Sequence, residues 1–288
     1  MRVMRSQLFI PGDREKLVNK IPSLDVDVVV LDLEDGVPFE KKEKARQIIS
    51  SVLNTFENSR PLIFVRVSGL DLKSLKEDLF AVACSRLDGL LLPKVELPDQ
   101  VQAVDLALKE IETSRNLVAG KIKLTTTIET AKGLLRSFEI AVASDRVEAI
   151  SLGAEDYTLN LGTNRSRSGS ELWYARAHIV VAAAAAGIQA IDTVFSDLND
   201  DEGLMEEAKL VRQLGFSGKY LIHPRQTAVV NRVFSPSEDE IKYAHKVVAA
   251  FDEARKIGKA VITVDGKMVD GPVVERERRI IDFLKYIK

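Results

Sequence analysis

Cysteine is almost absent from the chain, and this scarcity excludes disulfide bonding within it. Cys84 is the only cysteine among 288 residues. We therefore expect a reducing, cytoplasmic location. No run of 18 apolar residues occurs, and the start of the chain lacks an apolar leader followed by a cleavage site. A soluble, unprocessed protein without a membrane anchor is expected.

Excess charge, histidine and glycine-rich motifs are also lacking. The formal net charge of −2 provides no overall attraction for nucleic acid or anionic membranes. The three histidines, His178, His223 and His245, have no metal-binding spacing, which argues against zinc. Only Gly12 follows the first strand-like run, so the dinucleotide fingerprint of a Rossmann fold is missing.

What the chain does contain is a regular alternation of strand-like and helix-like segments. Apolar or β-branched runs predict strands at residues 7–10, 26–33, 62–67, 89–92, 123–128, 149–152, 188–195 and 219–222. Helical spacing occurs at residues 14–21, 41–53, 72–83, 98–112, 130–143, 171–186, 200–214 and 224–233. Eight strand–helix repeats in this length favour a (β/α)8 TIM barrel over an open doubly wound sheet.

A further segment, residues 235–288, follows the last repeat. It predicts a helix capped by Ser237, a short strand near residues 260–264, a turn at Asp265 and Gly266, and a basic final helix. We therefore divide the chain into a barrel, residues 1–234, and a C-terminal helical extension, residues 235–288.

Carboxylates gather at the ends of three predicted strands. They are Asp32, Glu34 and Asp35 after the second strand, Glu129 after the fifth, and Glu155 and Asp156 after the sixth. Other ionisable strand-end residues are Arg66, Lys94, Asp192 and His223. Because strand ends of a barrel converge on one rim, we expect these groups to lie close together. Repulsion among the acids is relieved by a raised pKa or by a cation, and oxygen donors suit Mg²⁺.

Eight motifs carry a resemblance to a known family. They are residues 5–12 (RSQLFIPG), 31–37 (LDLEDGV), 92–94 (LPK), 128–131 (IETA), 153–156 (GAED), 174–176 (YAR), 215–219 (GFSGK) and 266–272 (GKMVDGP). In this order and spacing they resemble the citrate lyase β-subunit family, within the HpcH/HpaI aldolase group that includes citramalyl-CoA and malyl-CoA lyases. The resemblance runs nearly end to end and implies a (β/α)8 barrel.

The resemblance implies a metal site with Mg²⁺ bound directly by Glu129 and Asp156. Glu34 and Asp35 would act on catalysis by holding metal-bound waters. The alternative to a metal-binding role for Glu129 is that of an acid near the amino end of the next helix, where the helix dipole stabilises its charge.

Arg66 ends an apolar strand and needs an anionic partner there. In the resembled family this arginine clamps the carboxylate of the keto acid. An internal salt bridge to Asp32 or Glu34 is the alternative. The chain departs from the family pattern at Ser68, where asparagine is usual.

Residues for the acyl thioester are implied in two places. Lys16 and Lys20, four apart on the first predicted helix, would bind the coenzyme A diphosphate with Phe9 nearby, although an ordinary solvated lysine face is the alternative. Ile191 and Asp192 would line the thioester, with packing as the alternative for Asp192.

Asp270 is the last candidate. By itself it predicts a helix-capping aspartate before Pro272. The resemblance implies instead that it transfers a proton in the active site of a neighbouring subunit. Catalysis would then require a homotrimer or hexamer.

The implied activity is that of a carbon–carbon lyase. It would cleave a 3-hydroxy-acyl thioester, citryl-CoA or citryl-carrier protein, to oxaloacetate and an acetyl thioester by retro-Claisen chemistry. Citramalyl-CoA or malyl-CoA lyase or thioesterase activity, pyruvate aldolase activity and a nonenzymatic acyl-CoA-binding subunit are alternatives. Other subunits of a lyase complex are candidate partners.

Overall fold

The computed structural model describes residues 2–55 and 61–287, and its centre is a closed barrel of eight parallel strands. The strands are β1 (Ser6–Pro11), β2 (Val28–Asp32), β3 (Leu62–Arg66), β4 (Gly89–Leu92), β5 (Lys123–Ile128), β6 (Val147–Leu152), β7 (Gln189–Asp192) and β8 (Gly218–Leu221). Each strand pairs with the next, and β8 pairs with β1 to close the ring. The predicted (β/α)8 barrel is confirmed.

The strands form because their side chains are buried on both faces. In β2, Val28 and Val30 belong to a cluster inside the barrel that also contains Phe64 and Tyr220. Val29, which alternates with them, belongs to the larger core on the other face. This alternation follows from the two-residue period of a strand, and it explains the uninterrupted apolar run in the sequence.

Helices follow the strands around the barrel. They are α1 (Glu15–Val18), α2 (Lys42–Thr55), α3 (Leu72–Val82), α4 (Pro98–Ser114), α5 (Ala131–Leu134), α6 (Ser137–Ala141), α7 (Ala154–Leu161), α8 (Trp173–Ala186), α9 (Asp201–Leu214) and α10 (Thr227–Phe234). Short 3₁₀ helices cover Ile21–Ser23, Phe39–Lys41, Ser170–Leu172 and Pro224–Gln226. No helix in the described ranges is long and apolar enough to cross a membrane.

Two helical predictions need correction, and one helix was not predicted. The helix predicted at residues 14–21 ends at Val18, because Pro22 lacks the N–H that would continue it. The helix predicted at residues 130–143 is divided into α5 and α6. A Cβ at Gly133 would collide with the Val95 carbonyl, so glycine is required there although it weakens a helix. Helix α7 was not predicted; Glu155 and Asp156 in its first turn favour its amino end.

A second compact unit comprises residues 235–287 with residues 2 and 3. Its elements are α11 (Glu238–Lys256), β9 (Ile262–Val264), β10 (Lys267–Val269) and α12 (Gly271–Phe283). Ser237 accepts a hydrogen bond from the Glu240 N–H at 3.2 Å and caps α11 as predicted. Strands β9 and β10 form an antiparallel hairpin. Its turn residues, Asp265 and Gly266, have φ angles of 49° and 75°.

Candidate active site

Three strand-end loops bring carboxylates together around one ammonium group. Nζ of Lys94 lies 2.8 Å from Oε1 of Glu34, 3.6 Å from Oδ2 of Asp35 and 3.8 Å from Oδ2 of Asp156. Glu34 is buried, Asp156 is partly exposed and Asp35 is largely exposed. The acids after β2 and β6 thus meet at the carboxyl end of the barrel, where the convergence of parallel strands was expected to place them.

Glu129, after β5, is the most constrained acid of this group. Its side chain is 4% exposed, and Oε1 accepts a hydrogen bond from the Lys94 backbone N–H at 2.6 Å. Gly153 lies against the carboxylate so closely that any side chain there would collide with it. Burial, with the nearby charges of Glu34 and Asp156, raises the pKa of Glu129 to about 8. The carboxylate therefore requires a proton or a cation at neutral pH.

Lys94 is a residue for which the sequence indicated only a strand-end position. Its φ angle of 51° is left-handed, a region that costs energy for a residue with a side chain. The residue uses its backbone N–H for Glu129 and its ammonium for Glu34. It links the loops after β2 and β5, and this link was missed because it joins residues distant in sequence.

Arg66 forms the internal ion pair that was the alternative to substrate binding. In the strand register Arg66 lies beside Asp32. Its Nε and one terminal nitrogen each donate to the Asp32 carboxylate at 2.7 Å. Its other terminal nitrogen lies 2.9 Å from Oε2 of Glu34. Asp32 also accepts the N–H groups of Glu34 and Gly36, so it orients both the arginine and the loop that carries the acids.

A cavity of about 160 Å³ opens beside these residues. Its lining is Phe9, Asp35, Arg66, Leu91, Thr127, Glu129, Leu152, Gly153, Ala154, Glu155, Asp156, Thr193, Val194 and Tyr220. The Phe9 ring lies 4.8 Å from the Arg66 guanidinium carbon and 5.0 Å from the Tyr220 ring. Tyr220 was missed because its inward orientation in β8 depends on barrel closure. Burial raises the pKa of its hydroxyl, which remains protonated.

A wider cleft of about 450 Å³ adjoins the acids on the side of β2, β3 and β4. It is lined by Glu34, Asp35, Lys42, Ser68, Gly69, Leu70, Asp71, Pro93, Lys94 and Gln100. Asp35 lines both spaces. Ser68, where the chain departs from the family pattern, lies in this cleft, which no local pattern of the sequence indicated.

The residues predicted to bind the thioester do not form one cluster, unlike the acids around Lys94. Lys16 and Lys20 are both exposed, and they do not share one continuous helix because α1 ends at Val18. Asp192 is fully buried and receives Arg176 and Lys219 at 2.9 and 2.6 Å. Its side chain is not among the residues that line the cavity, and its expected contact with the thioester stays a prediction. Ile191 is also fully buried.

Asp270 begins α12 in the second compact unit. Its side chain accepts a hydrogen bond from the Val273 N–H at 3.2 Å. This is the capping interaction that the sequence alone predicts. Capping uses one carboxylate oxygen, Oδ1. The predicted proton-transfer role therefore stays open, because the other oxygen is sufficient to carry a proton.

The acids form a suitable site for a hard divalent cation. No group of three or more His, Cys, Asp or Glu in residues 2–55 and 61–287 is itself arranged to hold a metal. Mg²⁺, however, is commonly bound by one or two carboxylates, with water and substrate completing its coordination. Both Glu129 and Asp156 line the smaller cavity, and the pKa of Glu129 is raised first by burial and then by the charges of Glu34 and Asp156.

Comparisons with known proteins identify the family of the chain. A family model described as HpcH/HpaI aldolase/citrate lyase matches residues 5–224. The chain is 41% identical to the citrate lyase subunit beta of Leuconostoc mesenteroides subsp. cremoris, covering 97% of this chain and 93% of that protein. It is 36% identical to human mitochondrial citramalyl-CoA lyase, covering 99% and 86%.

A solved structure extends the comparison to three dimensions. The CitE protein of Mycobacterium tuberculosis, in complex with magnesium, acetoacetate and coenzyme A, superposes with a TM-score of 0.79. Its sequence is 31% identical, and the match covers 98% of each chain. The resemblance inferred from the eight motifs is thereby confirmed.

Proposed function

The chain belongs to the HpcH/HpaI aldolase/citrate lyase family and is a carbon–carbon lyase, and we propose that it cleaves citryl-CoA or citryl-carrier protein. The products are oxaloacetate and an acetyl thioester. The observation that carries this proposal is the meeting of Glu129, Glu34 and Asp156 beside Arg66 at one rim of the barrel.

Magnesium is the cofactor of this reaction. Glu129 and Asp156 would hold the ion, while Glu34 and Asp35 would order its water. When bound, the cation lowers the pKa of a substrate hydroxyl and stabilises developing negative charge on oxygen. The solved relative that contains both magnesium and coenzyme A supports this assignment.

Arg66 binds the carboxylate of the oxo acid. A guanidinium has five N–H donors, and the contacts with Asp32 and Glu34 use three of its nitrogen positions. The terminal nitrogens retain donors, and Arg66 lines the cavity. Asp32 thus holds the guanidinium plane while the remaining donors receive substrate. The internal ion pair and the substrate clamp are therefore compatible roles.

The thioester and the proton are handled by residues farther from the acids. Phe9 lies at the cavity wall, and exposed Lys16 and Lys20 receive the phosphates of coenzyme A. Asp270 of a neighbouring subunit protonates the acetyl thioester enolate after carbon–carbon cleavage. The active protein is a homotrimer or hexamer, and the single cysteine supports a cytoplasmic location.

Citramalyl-CoA is the second candidate substrate, because the human relative at 36% identity is a citramalyl-CoA lyase. Purified protein with Mg²⁺ is to be assayed with citryl-CoA, (S)-citramalyl-CoA and malyl-CoA, with the oxo acid and the acyl thioester measured separately. We expect oxaloacetate and acetyl-CoA from citryl-CoA. Release of free coenzyme A with the hydroxy acid intact would identify a thioesterase. Failure with every substrate, on coenzyme A and on a carrier protein, would overturn the lyase proposal.

A further inference from the structure

The wide cleft beside the acids contains a lysine without a carboxylate partner. Nζ of Lys42 donates to the Ser68 carbonyl at a long 3.4 Å. Within residues 2–55 and 61–287, Lys42 forms no ion pair. Lys42 is only partly exposed and lines the cleft, so its charge is available to an anion that enters there.

The acids of the cleft are already engaged by other groups. Glu34 is paired with Arg66 and Lys94 at 2.9 and 2.8 Å. Oδ2 of Asp35 lies 3.6 Å from Nζ of Lys94. Asp71 accepts the N–H groups at the start of α3. Lys42 is consequently the cation in this lining whose charge is not balanced.

The backbone that follows β3 lines the same cleft, next to the Ser68 carbonyl that Lys42 contacts. Gly69 and Leu70 line the cleft, and their N–H groups donate to no acceptor in the part of the chain that the structure describes. A carboxylate is well suited to such surroundings, because ionised acceptors form the stronger hydrogen bonds with N–H donors.

The cleft is continuous with the site of the acids. Asp35 lines both the cleft and the smaller cavity. Lys94, which lines the cleft, lies 3.8 Å from the Asp156 carboxylate in that cavity. A substrate held beside Glu129 and Asp156 can therefore extend a substituent toward Lys42.

We infer that this cleft binds the second carboxylate of the oxo-acid portion, and that Lys42 determines specificity for it. The inference rests on the proposed function, since it assumes that the acids and Arg66 bind the oxo-acid portion of the substrate. A carboxymethyl substituent, which yields oxaloacetate, would neutralise Lys42. A methyl substituent, which yields pyruvate, would leave the lysine unpaired. The chain therefore prefers citryl over citramalyl thioesters.

The decisive variant is Lys42→Met, which removes the charge and keeps a side chain of similar length. We expect kcat/KM for citryl-CoA to fall about 10- to 100-fold, the effect of losing one charge-assisted contact. The value for citramalyl-CoA should stay within about twofold. Lys44→Met, an exposed change in the same helix, is the matched control and should alter neither value. Equal loss with both substrates, or no loss, would overturn the inference.

A binding measurement separates this inference from the proposed function. Calorimetric titration of oxaloacetate and of pyruvate, each with Mg²⁺, requires no turnover. Selective weakening of oxaloacetate binding in Lys42→Met would support the cleft assignment even if no thioester were cleaved. Unchanged preference between the two acids, or no oxaloacetate binding by the wild type, would reject it.

Discussion

The backbone N–H of Lys94 donates a 2.6 Å hydrogen bond to Oε1 of Glu129. The donor lies after β4 and the acceptor after β5, so the contact fixes one strand end against its neighbour. Lys94 has a φ angle of 51° in this arrangement. Its side chain then places a positive charge among Glu34, Asp35 and Asp156. One residue thereby orients an acid with its backbone and balances others with its side chain.

Replacing Lys94 separates these two roles. Lys94→Gly permits the left-handed backbone and removes the ammonium, so we expect tighter Mg²⁺ binding because a competing positive charge is lost. Lys94→Ala removes the same charge but retains the cost of positive φ, and it should be less stable than Lys94→Gly by about 1 kcal/mol. Calorimetric Mg²⁺ titration and urea unfolding measure the two effects. Weaker Mg²⁺ binding by the glycine variant would contradict the electrostatic argument.

Glu129→Gln should weaken Mg²⁺ binding by about tenfold or more, because an anionic oxygen ligand becomes a neutral amide. The change retains the size of the side chain and its position against Gly153. Glu139→Gln, an exposed change in α6, is the control and should bind Mg²⁺ as the wild type does. Wild-type affinity in Glu129→Gln would exclude Glu129 as a metal ligand.

The raised pKa of Glu129 predicts a pH effect on the metal-free protein. Its pKa rises from 4.5 to about 8 on folding, chiefly through burial. Between these values the folded state retains a proton that the unfolded state has lost, so this group lowers stability as pH rises through that window. The slope is at most about 1.4 kcal/mol per pH unit.

Urea unfolding with a chelator, repeated from pH 5 to pH 8, tests this effect. Glu129→Gln does not titrate, so its stability should decline less with rising pH than that of the wild type. Other ionisable groups contribute to both curves, and the difference between the curves isolates Glu129. Parallel curves would show that the carboxylate is already charged in the folded protein.

Lys219 should be essential for stability rather than for substrate contact. Its side chain is fully buried and donates to Asp192, Glu207 and the Thr193 carbonyl at 2.6, 2.6 and 2.8 Å. Lys219→Met would remove one of the two cations that balance the buried Asp192 and the partly buried Glu207, leaving Arg176 at 2.9 and 3.0 Å, and we expect a loss of about 3–5 kcal/mol in the free energy of unfolding. Exposed Lys242 provides the matched control, because Lys242→Met should change it by less than about 0.5 kcal/mol. A loss no greater than in this control would contradict the network's stabilising role.

Asp270→Asn should abolish turnover while Mg²⁺ binding and folding persist. Asparagine caps a helix as well as aspartate does, so α12 should remain intact, but the amide cannot transfer the proton. Co-expression with Glu129→Gln gives a sharper test. If Asp270 acts in a neighbouring subunit, mixed oligomers contain sites with both intact groups and regain activity. An inactive mixture, with both variants shown to co-assemble, would place the two residues in the same subunit's site, and wild-type turnover by Asp270→Asn alone would remove Asp270 from catalysis.

Much of the fold could be predicted because its signals are local. Strands are predicted by apolar or β-branched runs such as Val28–Asp32 and Lys123–Ile128. Amphipathic segments, which predict helices, follow these runs. The single helix predicted at residues 130–143 is instead divided into α5 and α6, and one residue of α5 is constrained by a remote segment. Gly133 is placed by its close approach to the Val95 carbonyl, a contact that only the assembled barrel creates.

The barrel and the positions of its acids at the strand ends follow from local sequence, since a repeating apolar period specifies both. Which of these charges meet depends on the folded chain. Strand register places Arg66 beside Asp32. Barrel closure brings Lys94 to Glu34 across 60 positions of the chain. Burial in the core pairs Asp192 with Lys219. Such pairings depend on distances and solvent exclusion between remote segments, which no local pattern encodes.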